Sequence, residues 1–388
     1  MHRSFRYRLF TNTNQERELT TTLETHRRLY NACLEQRKTA YETEMRSVNY
    51  PEQSAWFTIE RRLNPYYKNL NCSSAQATMR RLDKAFTNFF RRYQEGETKA
   101  GYPRFKGCDR FDSFTFPTHG NGVRLTDNHL YIQYVGTIRV KLHRPVKGTI
   151  KTITLKREAG KWFVIASCEL PDVPVVESNK PAVGIDVGLT HFLTDSNGGH
   201  EPNPRYLKAA LPELRRAGRA IARKRKGGVN RRKAVRRLQK VHARVRNLRR
   251  EHHYKVACRL VIAFGFIAVE ALNIKGMLAN GRFSRAISDA GWAGFLNVLR
   301  GQAEKAGVQF VEVDPKGTSQ ECSSCGQEVR KDLSVRRHEC PNCGLSLNRD
   351  HNAALNILAR ARLARTGPAG FKHYPSAVPK SYCPKAVE

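Results

Sequence analysis

Acidic residues are scarce in this chain. Asp and Glu together number 34 against 69 Lys and Arg, a formal net charge of +35 over 388 residues. A lone protein with that excess repels itself, so the imbalance predicts a bound polyanion, and nucleic acid is the class that fits. Small basic proteins of the ribosomal or chromatin kind are usually low in complexity, whereas 40% of this chain is hydrophobic. Long apolar runs are also missing. The best stretch, Val256 to Ile267, is short and carries Arg259, which excludes a membrane-spanning helix on the sequence. An apolar signal core is missing as well, since Arg3, Arg6 and Arg8 interrupt the first hydrophobic residues, so an intracellular protein is expected. Cysteines are present, ten in all, but only four cluster. That pattern predicts a reduced compartment and one metal site rather than a disulfide framework.

The length suggests two or three domains, each with a sizeable core. Residues 4–10 alternate and read as a strand. Residues 14–92 are helical in pattern, with Leu19, Leu23, His26, Tyr30 and Leu34 on one helix and Met79, Leu82, Phe86, Phe89 and Phe90 on another. Short alternating segments follow at 122–125, 130–134, 137–142, 149–156 and 162–170, and turn residues between them predict a small barrel into which the helices are inserted. Residues 173–181 read as a linker. Beyond it the pattern becomes α/β, with strands expected at 182–186, 190–195, 264–270 and 308–314. Between them Leu214 to Arg250 is basic throughout, contains no acid, and breaks into two helices at Gly227-Gly228. Such one-signed runs differ from ordinary solvated helices, which interleave charges. The tail after residue 366 carries four prolines and little periodicity, and reads as loosely ordered.

Two C-x-x-C knuckles, Cys322/Cys325 and Cys340/Cys343, stand 14 residues apart. Each is followed by Gly, which permits the tight turn that aims two thiolates at one ion. Four thiolates make a closed tetrahedral Zn²⁺ site with a structural role. Two redox C-x-x-C pairs are the alternative, and His338 is a neighbouring fifth donor.

Hydrolysis of phosphodiesters by a two-metal site needs carboxylates, because Mg²⁺ prefers oxygen ligands. Three acids occupy suitable places. Asp186 ends the apolar run Val183-Gly-Ile-Asp186, Glu270 ends Phe266-Ile-Ala-Val-Glu270, and Asp350 stands where an Ala/Leu-rich helix begins. Singly, Asp186 could be a turn residue, Glu270 a solvated strand end and Asp350 a helix N-cap. Asp195, Asp289 and Asp314 are rivals, of which Asp195 and Asp314 look like turn residues. In so basic a chain, the three acids together favour catalysis.

Val183-Gly-Ile-Asp-Val-Gly-Leu189, Val269-Glu-Ala-Leu-Asn-Ile-Lys-Gly-Met277, Thr318-Ser-Gln-Glu-Cys-Ser-Ser-Cys-Gly326 and Arg349-Asp-His-Asn-Ala-Ala-Leu-Asn-Ile357 resemble the TnpB (OrfB) family of transposon-encoded, RNA-guided nucleases, which is ancestral to the type V CRISPR effectors. The likeness extends to Arg81-Leu-Asp-Lys-Ala-Phe86, Gly101-Tyr-Pro-Arg-Phe-Lys106 and Ile287-Ser-Asp-Ala-Gly-Trp292, and so spans nearly the whole chain. It implies an α+β multidomain protein. A β-barrel (wedge) domain would take 1–13 and 98–178, and a helical recognition lobe 14–97. An RNase H-like (RuvC) nuclease domain would take 181–316 and 349–365, with an inserted zinc ribbon at 317–348. It also implies that Asp186, Glu270 and Asp350 hold two Mg²⁺ (or Mn²⁺) ions, that the four cysteines hold one Zn²⁺, and that the guide RNA comes from the transposon end. The chain departs from the family at Ala271 and Asn348, where acids are common, and at Lys316-Gly317, a frequent place for an aromatic.

The expected partners are a guide RNA and a double-stranded DNA target beside a short motif, bound by a monomer in the nucleoid-associated cytoplasm of a bacterium. Arg215, Arg216, Arg223, Lys224, Arg231, Arg232, Arg236 and Arg237 are the candidate contacts to the heteroduplex or its displaced strand. Gln76, Arg80 and Arg81, on one helix, are candidates for reading base edges. Tyr102 and Phe105 could stack on bases but read better as packing residues. A non-cleaving RNA-guided regulator and a strand-joining transposase are the competing functions.

Overall fold

A computed structural model describes residues 1–96, 100–175, 178–332 and 334–366. The tail expected to be loosely ordered lies outside the described residues beyond 366. The chain divides after Asp172 into two compact units.

The first unit opens with β1 (His2–Phe10), which buries Phe5, Tyr7 and Leu9 at alternate positions. The helical region resolves into α1 (Thr13–Glu44), α2 (Tyr50–Leu63), α3 (Pro65–Lys68) and α4 (Cys72–Gln94). The breaks follow local chemistry. Asn12, Asn49, Asn64 and Asn71 each accept a backbone N–H of the helix that follows, and Pro51 and Pro65 sit in first turns. Six strands follow: β2 (Ser113–Phe116), β3 (Val123–Thr126), β4 (His129–Ile132), β5 (Gly136–Lys141), β6 (Thr149–Glu158) and β7 (Lys161–Glu169). They join β1 in an antiparallel sheet of order β2-β6-β7-β1-β5-β4-β3. At Arg8, β1 passes from β7 to β5, which curls the sheet. The ladder ends on β2 and β3, so the expected barrel is a curled sheet with two edges among the described residues. The pattern did not reveal β2, because three of its four residues are buried and leave no alternation to read.

Helices and sheet of this unit share one hydrophobic core, in which Leu19, Leu34, Met79 and Leu82 join Phe114, Leu155 and Trp162. The predicted helical lobe and barrel are therefore not separately cored. His26 is fully buried in it, with Nδ1 2.8 Å from Thr78 Oγ1 and its ring stacked 4.8 Å from Phe114. Burial, with help from Arg81, holds its pKa down to about 3, so it is neutral. Arg81 donates to the Ser113 carbonyl at 2.8 Å and lies over the Phe111 ring. This corrects the expectation that Arg81 reads bases: its guanidinium holds α4 to β2. Gln76 is half-buried, and Arg80 is exposed over the Tyr50 ring. Tyr102 packs edge-on against Phe86 and Phe89, yet it and Phe105 both remain exposed.

The second unit begins with β8 (Ala182–Val187), β9 (His191–Asp195) and β10 (His200–Pro202), then α5 (Tyr206–Ala222) and α6 (Val229–Ala263). β11 (Phe266–Glu270), α7 (Ile274–Ala279), α8 (Ser284–Ala290), α9 (Trp292–Ala306) and β12 (Gln309–Val313) follow. The short β13 (Arg337–Glu339) and β14 (Ser346–Asn348) lead into α10 (Arg349–Thr366). The five-stranded sheet runs β10-β9-β8-β11-β12, with β8, β11 and β12 parallel and β9 and β10 antiparallel. Both faces of its centre are covered, so β8 and β11 read as near-continuous apolar runs. Val183, Ile185, Ile267 and Val269 pack towards α6 and α9, and Phe266 and Ala268 pack towards α10.

That alternation positions the site. Side chains alternate along a strand, so Asp186 and Glu270 fall on the face that α10 covers. Phe266 pairs with Ala182 and Val269 with Ile185, which makes Asp186 and Glu270 the next neighbours in register. Gly184 lets α10 approach: a Cβ there would lie 2.1 Å from the Ala354 carbonyl oxygen and 2.8 Å from Leu358 N. Gly184→Ala should therefore lift α10 from the sheet and cost about 1–3 kcal/mol by overpacking. Urea unfolding would check this.

Candidate active site and metal centre

Three elements deliver the three acids. Asp186 lies near the carboxyl end of β8, Glu270 is the last residue of β11, and Asp350 lies in the first turn of α10. The carboxyl ends of parallel strands are where α/β sheets place their ligands. Asp350 is buried, and its Oδ1 lies 3.5 Å from Arg349 Nε. It is not the helix cap. Asn348 has that role, its Oδ1 accepting the Asp350 N–H at 2.9 Å, which gives the unusual Asn348 a physical purpose. Glu270 accepts a hydrogen bond from the Thr318 hydroxyl at 2.5 Å.

The Asp186 carboxyl lies within the electrostatic reach of the other two acids. Burial first, and then the negative charges of Glu270 and Asp350, push the Asp186 carboxyl well above the usual carboxylate range, and Arg349 only partly opposes this. Burial also raises Glu270, against the Thr318 hydroxyl and Arg360. The three carboxylates offer only oxygen donors, a set that suits Mg²⁺ or Mn²⁺.

The three rivals have structural duties. Asp195 Oδ1 accepts the Asn197 and Gly199 N–H groups, both at 2.9 Å, and closes the β9–β10 turn. Asp314 accepts the Lys316 N–H at 3.0 Å. Asp289 is buried on α8 and accepts the Leu207 and Lys208 N–H groups at 2.7 and 2.9 Å, so it caps the start of α5 from a distant segment.

The four cysteines form a compact group with every Sγ within 4.8 Å of the others. Cys322 and Cys343 Sγ lie 3.6 Å apart, and Cys325 and Cys340 Sγ 3.5 Å apart. Those separations are far beyond a disulfide bond and near the roughly 3.8 Å edge that Zn–S bonds of about 2.3 Å give a tetrahedron. The knuckles repeat one geometry. Gly326 N donates to the Cys322 carbonyl and Gly344 N to the Cys340 carbonyl, and both glycines have positive φ, at 76° and 72°. The Asn342 side chain, then the Gln327 N–H, draw the Cys325 thiol down, while burial and the neighbouring thiols push Cys343 up. His338 is buried on β13 against the Lys331 ammonium and lies outside the four-thiol group. The donor set fits one structural zinc and is closed to a substrate.

The basic hairpin is α5 and α6, packed through Ala210, Val241 and Val245. Arg215, Arg216, Arg223, Lys224, Arg232, Arg236 and Arg237 are all exposed. None of these seven forms an ion pair among the described residues. Arg231 differs from them: it is half-buried and donates to the Ile221 carbonyl at 2.8 Å, which completes the end of α5. The run itself holds no acid, and Glu213, just outside it, supplies one counter-charge by pairing with Arg244.

Sequence reasoning passed over Asn352, Asn356 and Arg360. They recur every four residues along α10 and bind the backbone around Thr318, and that period among polar residues was the available signal.

The raised carboxyl of Asp186 has a consequence for stability. Its folded pKa lies above the unfolded one, so the charged form is penalised and stability falls as pH rises through that interval. At neutral pH and without divalent cation, Asp186→Asn should therefore melt a few degrees higher than the unchanged protein, and added Mg²⁺ should stabilise only the latter. Calorimetry with and without Mg²⁺ at several pH values reads this directly. Cys343→Ser should lower zinc content from about one per chain and lower the melting temperature, since a closed thiolate site contributes folding energy. Metal analysis beside a thermal melt measures both.

Residues 1–46 match a family described as "Helix-turn-helix domain", of the OrfB type from IS605 elements, although the structure has one strand and one long helix there. Residues 151–281 match the family described as "Probable transposase", and residues 292–357 match "Cas12f1-like, TNB domain". A Streptomyces pristinaespiralis protein named "Putative RNA-guided DNA endonuclease" is 32% identical over 95% of this chain and 92% of its own length. The InsQ protein of Escherichia coli K12, which bears the same description, is 27% identical over 92% of this chain and 91% of its own. The solved structure described as the mini-RNA-guided endonuclease CRISPR-Cas_phi3 covers 96% of this chain and 94% of its own, at 10% identity and a TM-score of 0.50, which is a likeness of fold alone. With these matches over nearly its full length, the chain belongs to the TnpB family of proteins, encoded as OrfB by IS605-type transposons.

Proposed function

We propose that this protein is an RNA-guided DNA endonuclease of a transposon. The relatives' descriptions support that activity, and one observation of this chain carries it: Asp186 and Glu270 stand near the ends of neighbouring parallel strands, on the face covered by the helix whose first turn carries Asp350. The order of the five-stranded sheet, three antiparallel strands continued by two parallel ones, supports reading unit two as an RNase H-like (RuvC) nuclease domain. In this reading the zinc ribbon of 317–348 interrupts it, and the curled sheet and its helices are the wedge and recognition elements.

In this reading Asp186, Glu270 and Asp350 hold two Mg²⁺ or Mn²⁺ ions. Bound divalent ions supply Lewis-acid chemistry that activates water and stabilises the leaving oxygen of a phosphodiester. The carboxylates orient those ions, and the apolar sheet beneath fixes the carboxylates. The exposed arginines and lysines of the α5–α6 hairpin contact phosphates of the guide–target duplex or the displaced strand without reading sequence. Arg231 serves the fold instead. Gln76 and Arg80 remain candidates for contacts beside a short target motif. The guide is RNA from the transposon end, and one chain with its RNA is the working unit, in the nucleoid-associated cytoplasm of a bacterium. A non-cleaving regulator would not need three intact acids on one face; the family matched by residues 151–281 is described as a probable transposase, but the relatives matched over nearly the whole chain are described as endonucleases, which favours cleavage over strand joining.

Asp186→Ala, Glu270→Ala and Asp350→Ala should each reduce cleavage of guided target DNA to background while guide RNA and target binding persist. Gel assays of cleavage and binding on the same preparations are the measurement. Wild-type cleavage by Asp350→Ala would remove that residue from the site.

A further inference from the structure

The segment from Asp314 to Ser323 runs from the end of β12 to the first zinc knuckle, and α10 grips it at every turn. Arg360 Nη1 donates to the carbonyls of Asp314 and Lys316, at 2.9 and 2.6 Å, and its Nη2 meets Glu321 Oε2 at 2.7 Å. Asn356 Nδ2 donates to the carbonyls of Thr318 and Glu321, both at 2.8 Å. Asn352 Nδ2 donates to the Glu321 carbonyl at 2.7 Å, and its Oδ1 accepts the Ser323 N–H at 2.9 Å. The three residues are spaced by four and share one helix face. Gly317 belongs to the same device. Its φ is +79°, and a Cβ there would lie 2.9 Å from Glu321 Oε1 and 3.4 Å from Arg360 Nη2, so the departure from an aromatic nearby leaves room for the Arg360–Glu321 pair.

What this grip holds in place is the Thr318 hydroxyl. Thr318 is buried, and its Oγ1 lies 2.5 Å from Glu270 Oε1 and 3.0 Å from the Pro315 carbonyl. A hydroxyl has one proton to donate, and a carboxylate is the stronger acceptor. One oxygen of Glu270 is thereby pinned. Its Oε2 has no hydrogen-bond partner among the described residues. The helix that aims Thr318 also carries Asp350, so both acids are referenced to one rigid element.

We propose that Thr318 is a positioning residue for the divalent-metal site: it fixes the rotamer of Glu270 so that the other carboxylate oxygen faces the ion, and Asn352, Asn356 and the backbone contacts of Arg360 act through it. The proposal rests on reading Glu270 as a metal ligand. Partners of metal-ligating carboxylates orient them, and their loss typically weakens metal affinity or activity about 10–100-fold.

The test compares wild type, Thr318→Val, Thr318→Ser and Glu270→Gln as full-length, zinc-loaded chains. Mn²⁺ affinity is measured by electron paramagnetic resonance, and the Mg²⁺ concentration for half-maximal cleavage is measured on the guided complex. Zinc content, melting temperature and guide RNA affinity are recorded alongside. Thr318→Val should weaken Mn²⁺ binding and raise the Mg²⁺ requirement by about 10–100-fold, with zinc content and RNA affinity unchanged. Thr318→Ser, which keeps the hydroxyl, should restore both. Wild-type Mn²⁺ affinity in Thr318→Val beside a loss in Glu270→Gln would overturn the positioning role alone. Unchanged affinity in Glu270→Gln would overturn the ligand reading beneath it. Loss of zinc from Thr318→Val that Thr318→Ser does not restore would make Thr318 a strap residue only, and would also overturn the proposal.

Discussion

The contact on which the second unit depends is the seating of α10 against β8 at Gly184. Backbone atoms of Ala354 and Leu358 come within what would be the volume of a Cβ, and only glycine allows so close an approach. Ile357, Leu358 and Ala361 then fill the space over Phe266 and Ala268. Packed interiors do not deform continuously, so this contact sets the height of the helix above the sheet. Asp350, one turn back along the same helix, inherits its place from that packing. So does the ladder of Asn352, Asn356 and Arg360, which orders the segment leading to the zinc knuckles.

The site set by this packing is electrostatically expensive. Asp350 is buried and Asp186 and Glu270 are half-buried, and the arginines near them, Arg349 and Arg360, oppose the rise of the Asp186 and Glu270 carboxyls without removing it. A protein with so few acids nonetheless concentrates three of them here. The rivals show the contrast. Asp195, Asp289 and Asp314 accept backbone N–H groups in turns or at a helix start. On the α10 face, burial raises Asp186 and Glu270 despite the Val187 N–H at the one and the Thr318 hydroxyl at the other.

Positive charge is distributed by the opposite logic. On the α5–α6 hairpin it is exposed and solvated, and a small apolar seam and the Asp289 cap hold the two helices at their base. In the first unit, Arg81 and Arg37 are turned inward, Arg81 to the Ser113 carbonyl and Arg37 to Gln53 and Asp83. The same side-chain type therefore serves as structural donor in one place and as candidate phosphate contact in another. Burial and the partners within reach decide which.

Much of this was legible along the chain. Period-two and period-3.6 patterns placed most strands and the long helices, because those signals arise from which side chain meets water and need only local sequence. The four cysteines declared a common site through spacing and the glycine after each pair, since knuckle geometry is local. Asp186, Glu270 and Asp350 could be nominated as strand and helix ends. The four-residue β2, the joint core of helices and sheet, and the open edges of the curled sheet depended on which distant segments pair. Only the folded chain showed that Arg81 and Arg231 serve the fold, because their acceptors, the Ser113 and Ile221 carbonyls, lie 32 and 10 residues away. It also showed that Thr318 meets Glu270 across 48 residues. Sequence by itself determined the residue types, their periods and the local turns. Tertiary structure decided which polar groups find one another, because hydrogen bonds are short and directional and depend on backbone positions that only the completed packing defines.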